Sequence, residues 1–537
     1  MAFGILSLVP ELIERISREA VGNRKSLRAT CRRLNQIITP QLFSRMVIDV
    51  RRRGLLLIAQ QLYAYAYTSR SLALHVRTLV IGSLLYSRDP KIIAAKASLN
   101  DEYVRKAIAS IKESLERALL AMRNVQAVTW KLHNDNPDWA REVLLRVISS
   151  SYRLEEFTGK FQGDHQLQQN VHFPFLSNLK RFTVAHIPAH HIAYPALMDA
   201  IAHTIGRCNN LEYLDIGAAI PSKPAILPEP TLDALLTHLS PGRILRLRRL
   251  VLINWHLRPD RYTMPHLRHL VSLTLRKNLL PRESTPTAET GHTLYSTAEE
   301  NVFDNLTSAG IRLQELITDS IIPALIKYLC SYQDTLRRLE LTRCTFTDQS
   351  ACNTLAHEFY ATALPRHRES LEILRIETMY ASTWSFNPAA EHCLAECVRL
   401  HWLSMDVDDA TNGTGRENRL AVSMMRATVN DLLRFSAKRP MLTRLTITPA
   451  FKNGPSVFNS RFPIVAEALD NLLCSLVEEH GPIDPSDALK YPVVEVGWPT
   501  MRMRVRTPAD GGAPRFVHEG NSAVRRYQAN VASTSTS

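Results

Sequence analysis

One pattern returns twelve times along this chain and restricts its fold more than any other feature: apolar-x-x-apolar-x-apolar. It appears as Val76-Arg-Thr-Leu79-Val-Ile81, Val125-Gln-Ala-Val128-Thr-Trp130 and, more weakly, Leu154-Glu-Glu-Phe157-Thr-Gly159. Leu179 to Val184, Leu211 to Ile216, Leu247 to Leu252 and Leu270 to Leu275 repeat it, as do Leu313 to Thr318, Leu336 to Leu341, Leu371 to Ile376, Leu400 to Met405 and Leu442 to Ile447. The last two apolar positions are two residues apart and so share one face of a strand. The first lies three residues earlier, where the chain turns into that strand. One strand per recurrence, each pointing the same way, makes a parallel sheet whose neighbours must be joined by crossovers. Helical spacing over Asp101 to Met122, Ala196 to Ile205, Leu232 to Leu239, Ala351 to Leu364, Val422 to Phe435 and Ile464 to Leu476 supplies those crossovers.

Between middle positions the intervals run from 23 residues (Leu250 to Leu273) to 49 (Leu79 to Val128). Leucine-rich repeats take about 20–29 residues each, so the short intervals fit one strand plus one helix and the long ones carry extra helix or loop. Residues 76–500 thus resemble the leucine-rich repeats found behind F-boxes in fungal-type proteins. The resemblance implies an α/β fold, a leucine-rich-repeat solenoid with a parallel sheet and outer helices. The asparagine that usually follows the strand in such repeats is largely absent, which bears on the regularity of the curve. A doubly wound α/β domain is the alternative.

The first fifty residues read differently. Pro10 suits a first helical turn, where its missing N–H costs nothing. Leu12, Ile13 and Ile16 then fall at helical spacing, and so do Leu27, Cys31 and Leu34, with Pro40 expected to stop the second run. So short a segment cannot bury enough surface to be secure alone. The Pro10-Glu11-Leu12-Ile13-x-x-Ile16 opening, the Leu27-Arg28-x-x-Cys31-Arg32-Arg33-Leu34-Asn35 centre and the Pro40-x-Leu42-Phe43 close resemble the F-box, which docks ubiquitin-ligase substrate receptors on the Skp adaptor. Val9 replaces the family's usual leucine before the proline, and Lys25 stands where an aspartate is common. The resemblance implies a small all-α F-box over 1–50 that binds a Skp-type adaptor, and through it cullin, by Pro10, Leu12, Ile13, Ile16, Leu27, Cys31 and Leu34. An ordinary helical cap is the alternative. Residues 51–75 read as a linker helix and 501–537 as a disordered basic tail.

The formal charge of +14 is concentrated at the ends: Met1 to Arg53 carries +7 and the chain from Pro499 carries +4. Few aromatics interleave with those arginines, so nucleic acid is not the expected partner. Eight cysteines without paired spacing suit reduced intracellular thiols. With no secretory signal or bilayer-length apolar run, the expected setting is cytoplasmic or nuclear, with no membrane partner. Cys393 and Cys397 lie four apart beside His392, and His186, His190 and His191 cluster around Pro188. Neither group has a matching second ligand pair, so no metal and no cofactor are expected. Asp406, Asp408 and Glu417 imitate a calcium loop, but Ala410 and Thr411 stand where a ligand and a glycine are required.

No phosphate loop, nucleophile elbow or zinc-protease motif occurs, and the chain is expected to bind rather than catalyse. If Leu214 and Ile216 point inward, Tyr213 points out of the concave sheet. The same parity exposes Arg181, Arg249, Arg276, Arg338, Arg375 and Arg444, with Trp402 and Glu340 among them. Arginine and tryptophan are favoured anchors at interfaces, and a row of arginines suits an acidic or phosphorylated protein target. Alternatively, the arginines keep a long sheet soluble. The F-box resemblance implies the substrate-recognition subunit of a Skp–cullin–F-box ubiquitin ligase; a leucine-rich scaffold without ligase function is the alternative. Pro281 to His292, rich in Ser, Thr, Pro and Glu, reads as an exposed loop.

Overall fold

Each of the twelve recurrences is a strand. A computed structural model describes residues 24–50, 54–68, 70–84, 101–133, 136–162, 176–187, 194–219, 230–276, 295–342, 349–378, 382–409, 416–451, 493–496, 501–506 and 515–519, with Leu12, Ile13, Arg15 and Glu19. The chain divides into two compact units, Met1–His256 with Arg261–Leu267, and Leu257–Asp260 with Arg268–Ser537. The first holds β1 (Arg45–Ile48), β2 (Thr78–Ile81), β3 (Ala127–His133), β4 (Glu156–Gln162), β5 (Arg181–Ile187), β6 (Tyr213–Ala218) and β7 (Arg249–Ile253). The second holds β8 (Ser272–Arg276), β9 (Glu315–Thr318), β10 (Arg338–Thr342), β11 (Ile373–Glu377), β12 (Trp402–Asp409), β13 (Arg444–Phe451), β14 (Val493–Val496), β15 (Met501–Arg506) and β16 (Arg515–Glu519).

Within each unit the middle positions of the parallel strands pair in one column, and the register shifts only past it, between Val184 and Ile187 of β5 against β6. In the first, Met46 pairs with Leu79, Leu79 with Val128, Val128 with Phe157, Phe157 with Phe182, Phe182 with Leu214 and Leu214 with Leu250. In the second, Leu273, Leu316, Leu339, Leu374, Leu403, Leu445 and Val494 form the same column. These middle positions are buried throughout, as are the leading ones from Val76 to Leu442. A one-residue slip would turn every such side chain to the other face, so burial on one side holds the register.

A backbone feature reinforces it. The Ser44 carbonyl accepts the N–H groups of both Arg77 and Thr78, at 2.7 and 2.9 Å. The Arg77 carbonyl does the same for Gln126 and Ala127, and so on through Gln126, Glu155, Lys180 and Glu212. Val271, Gln314, Arg337, Glu372 and His401 continue the device in the second unit. Within each unit, the two variable positions at the entry to β2–β7 and to β9–β13 are therefore tied to the preceding repeat by main chain. This supplies repeat-to-repeat continuity without the missing asparagines.

Three differences from the sequence expectation have physical causes. The sheet begins at Arg45 rather than near residue 76, because Phe43-Ser-Arg-Met46-Val-Ile48 carries the same spacing inside the segment read as helical, and Arg45-Met-Val-Ile48 pairs with β2. At the other end, 501–506 and 515–519 are strands rather than a disordered tail. The parallel run ends at β14, and β15 and β16 follow antiparallel, a pairing that needs no crossover helix. The alternation Met501-Arg-Met503-Arg-Val505-Arg is a strand pattern that a reading by composition hides. Third, the run Leu27 to Leu34 is two helices, α1 (Arg24–Thr30) and α2 (Arg32–Leu42), separated at an extended Cys31. Pro40 does not stop α2, which continues to Leu42; a proline near the end of a helix removes only one internal bond.

The expected helices form over Asp101–Ala121, Tyr194–Arg207, Leu232–Leu236, Gln349–Glu358 and Arg416–Ala437. The linker is a helix over Leu55–Tyr63, which buries Leu55, Ile58, Ala59 and Leu62 and packs on Asp101–Ala121. The helix expected over Ile464–Leu476, the loop at 281–292 and the residues beyond 519 lie outside the described residues. Among the described residues, no helix is long and apolar enough to cross a membrane.

Two buried histidines make the fold pH-sensitive. His266 Nδ1 accepts the Leu245 N–H at 3.0 Å, and burial, then Arg243, lowers its pKa. The His367 ring meets the Leu329 carbonyl at 3.0 Å, and burial lowers its pKa too. With both folded values below the ordinary 6.5, the unfolded chain binds protons first as pH falls. Their contribution is complete above that value and is lost as pH drops through it toward the folded values. Urea unfolding should show stability falling from pH 7.5 to 5.5. His266→Asn, which keeps an acceptor near the Nδ1 position without titrating, should flatten part of that fall.

Candidate partner-binding surfaces

The first candidate surface is the N-terminal helical unit. Ile13, Leu34 and Ile38 are buried together, and Leu27, Cys31, Ile37 and Leu42 pack half-buried against them. The Arg28 guanidinium lies 5.5 Å from the Phe43 ring centre, tying α1 to the end of α2. Leu12, next to Ile13 on the same helical stretch, points elsewhere and is 46% exposed. The resemblance-derived set thus separates. Ile13 and Leu34 close the segment's own core, while Leu12, Leu27 and Cys31 retain accessible surface. Pro10 and Ile16 lie outside the described residues. Ile38, four residues after Leu34, completes the core, a role its helical spacing carried.

The second candidate is the sheet face opposite the buried leucine column. In the first unit Tyr213 Oη donates to Asp215 Oδ2 at 3.2 Å, and Arg249 lies 5.6 Å from the Tyr213 ring centre. Arg181 pairs with Glu156 at 3.5 Å. Burial is the main cause that raises the Asp215 pKa, against the opposing pull of the Tyr213 hydrogen bond and of Arg249 and Lys160.

In the second unit the arginines converge on carboxylates of the same sheet. Glu340, with a side chain only 1% exposed, accepts from Arg338 Nε at 2.7 Å. Arg276 and Arg375, from β8 and β11, each reach its other oxygen at 3.4 Å. Arg375 Nε also donates to Glu377 at 2.8 Å, and Ser404 Oγ to that same carboxylate at 3.0 Å. Arg444 Nε donates to the buried Glu495 at 2.8 Å. Trp402 sits between Arg444, at 3.9 Å, and Arg375, at 5.8 Å from the indole, and its Nε1 donates to Thr446 at 3.2 Å. Ser272 donates to Glu315.

The parity expected from the sequence therefore places Arg276, Arg338, Arg375, Trp402 and Arg444 together on one face. The guanidiniums there are not free charges, however. They roof glutamates of the same face: Glu340, expected from the parity to be exposed, is buried because Arg338, two residues away on its strand, and Arg276 and Arg375 from other strands cover its carboxylate. Buried carboxylates require such partners, since an unpaired charge away from water is strongly unfavourable.

Among the remaining sequence candidates, Cys393, Cys397 and Asp406 have structural roles. Burial, followed by lesser effects, pushes the Cys397 thiol up to about 12, and burial also raises Cys393, whose Sγ donates to the Tyr360 carbonyl. Asp406 is buried in β12, accepting from the Thr378 N–H at 2.6 Å and from Thr448 Oγ1 at 2.5 Å, which explains its carboxylate without calcium. His186 adopts φ 61° at the end of β5, while His190 and His191 lie outside the described residues.

No family model matches the sequence, and no curated protein matches it. Among solved structures the chain is similar to the crystal structure of the Rad7 and Elc1 complex in yeast. The identity is 14%, the TM-score 0.35, and the alignment covers 83% of this chain and 94% of that one.

Removing Glu340 leaves three guanidiniums together without their shared acceptor. Glu340→Ala should lower unfolding stability by about 3 kcal/mol in urea. Arg276→Ala, which leaves Arg338 and Arg375 on Glu340, should cost about 1 kcal/mol or less.

Proposed function

We propose that this chain is the substrate-recognition subunit of a Skp–cullin–F-box ubiquitin ligase and that it is non-catalytic. The carrying observation is the N-terminal unit: α1 and α2 close only a small core around Ile13, Leu34 and Ile38, leave Leu12 exposed, and run directly into β1. That arrangement, together with the motif spacing, fits a segment completed by a Skp-type adaptor, with cullin joined through the adaptor. The repeat sheet would hold the target, so that its lysines meet the conjugating enzyme at high effective concentration. The free cysteines among the described residues fit a reducing cytoplasmic or nuclear setting.

The target chemistry follows from the paired arginines. An acidic or phosphorylated segment would compete with Glu340, Glu377 and Glu495 for the same guanidiniums. A target that covers Trp402 and accepts from the free edges of those guanidiniums is the better fit. One observation favours a second reading, a scaffold without ligase function: Ile13 and Leu34 are already enclosed by their own segment.

Co-purification with a Skp-type adaptor separates the two. Leu12→Asp alters an exposed residue and should cut adaptor recovery at least about tenfold while leaving the melting profile unchanged. Leu57→Asp, at a residue 55% exposed on the linker helix, should have no effect. Absence of adaptor binding by the unaltered chain, or full binding by Leu12→Asp, would favour the scaffold.

A further inference from the structure

In the first unit, away from both candidate surfaces, three side chains from separate parts of the sequence meet. Asp199 and His203 lie one turn apart on the helix Tyr194–Arg207. His238 comes from the turn that follows the helix Leu232–Leu236. Its Nε2 lies 2.7 Å from Asp199 Oδ1, and His203 Nε2 lies 3.6 Å from Asp199 Oδ2. The two imidazoles stack with ring centres 3.7 Å apart and planes inclined by 21°. One carboxylate oxygen and two imidazole nitrogens thus sit within 4.8 Å of one another.

The backbone holds them there. Gly206 lies on the same helix, one turn beyond His203, and a Cβ built on it would lie 2.7 Å from the His238 carbonyl oxygen. Only a residue without a side chain lets the His238 segment approach this closely. The Gly206 carbonyl in turn accepts from Arg243, a few residues past the turn. The three donors are therefore brought together by a main-chain contact and not merely by the reach of surface side chains.

We propose that Asp199, His203 and His238 bind a divalent transition cation of the zinc class, which clamps the helix Tyr194–Arg207 to the turn after Leu232–Leu236. Two imidazole nitrogens and one carboxylate oxygen are the ligand types such cations take, whereas calcium and magnesium require oxygen sets. With metal–ligand distances of about 2.0–2.2 Å, tetrahedral ligands stand roughly 3.3–3.5 Å apart. Closing the site accordingly needs small side-chain movements. The cation replaces the His238–Asp199 hydrogen bond: each Nε2 ligates through its lone pair, so a proton on Nε2 moves to Nδ1 of the neutral ring, or leaves to water where Nδ1 already carries one. With three protein ligands, all on the surface, the remaining position is filled by water.

The test uses the full chain stripped of metal with a chelator, titrated with zinc chloride and followed by calorimetry and by thermal melting. We expect a saturable equivalent of zinc and a raised melting temperature, both lost in His203→Asn/His238→Gln. Asp199→Asn should weaken the same event at least about tenfold. Cobalt(II) serves as a spectroscopic check: this N/O set gives weak d–d bands in the visible and no thiolate charge-transfer band, which distinguishes it from binding at cysteines. Because the altered residues are surface-exposed, the metal-free variants should melt as the parent does. No saturable binding, or zinc binding and stabilisation undiminished in the double variant, would overturn the proposal, as would a thiolate charge-transfer band for the bound cobalt.

Discussion

Within each unit the repeat stack depends on one carbonyl per repeat that accepts two successive N–H groups from the next. That contact sets where each strand starts, and the buried column above it, Leu273 to Leu316 to Leu339 in the second unit, follows in step. Such a stack is close to one-dimensional: a repeat's stability is its own plus that of its two interfaces. A substitution in the column therefore damages two junctions, and variation in crossover length between strands does little harm. This explains how intervals differing by a factor of two coexist with a column that stays in step within each unit.

Fixing the apolar column on one face fixes what the other face receives. Alternate residues project there at about 4.8 Å strand spacing, close enough for long side chains from neighbouring strands to meet. With carboxylates at Glu340 and Glu495 beneath them, the arginines become a lid over buried charge. The pairing is a structural necessity before it is a recognition device, and it limits what a partner can gain from these arginines by charge alone.

The legibility of the sequence followed from whether a signal was local. The leucine-type spacing lies within six residues, and it located twelve strands and the parity of their faces. β1 carries the same spacing, with Phe43 leading Met46 and Ile48, but inside a segment whose other signals are helical, and β15 alternates arginine with apolar residues, so composition concealed it. The extended break at Cys31 depends on backbone geometry that spacing does not encode. The Arg276–Glu340–Arg375 cluster joins three strands, and Asp199, His203 and His238 join two helical segments. Neither could be read before the topology was known. The adaptor set drawn from the F-box resemblance was legible as a group of apolar residues. Which of them turn inward was not, because Leu12 and Ile13 differ only by one step around a helix.

The N-terminal unit is where sequence resemblance and geometry bear on function together: a small helical core with an exposed leucine, placed directly before the first strand. Hydrogen–deuterium exchange on the full chain, with and without a Skp-type adaptor, tests this account most directly. It predicts slowed exchange over α1 and α2 when the adaptor is present, with β8 to β13 unchanged. Unaltered exchange across residues 24–42, or protection confined to the repeat sheet, would contradict it.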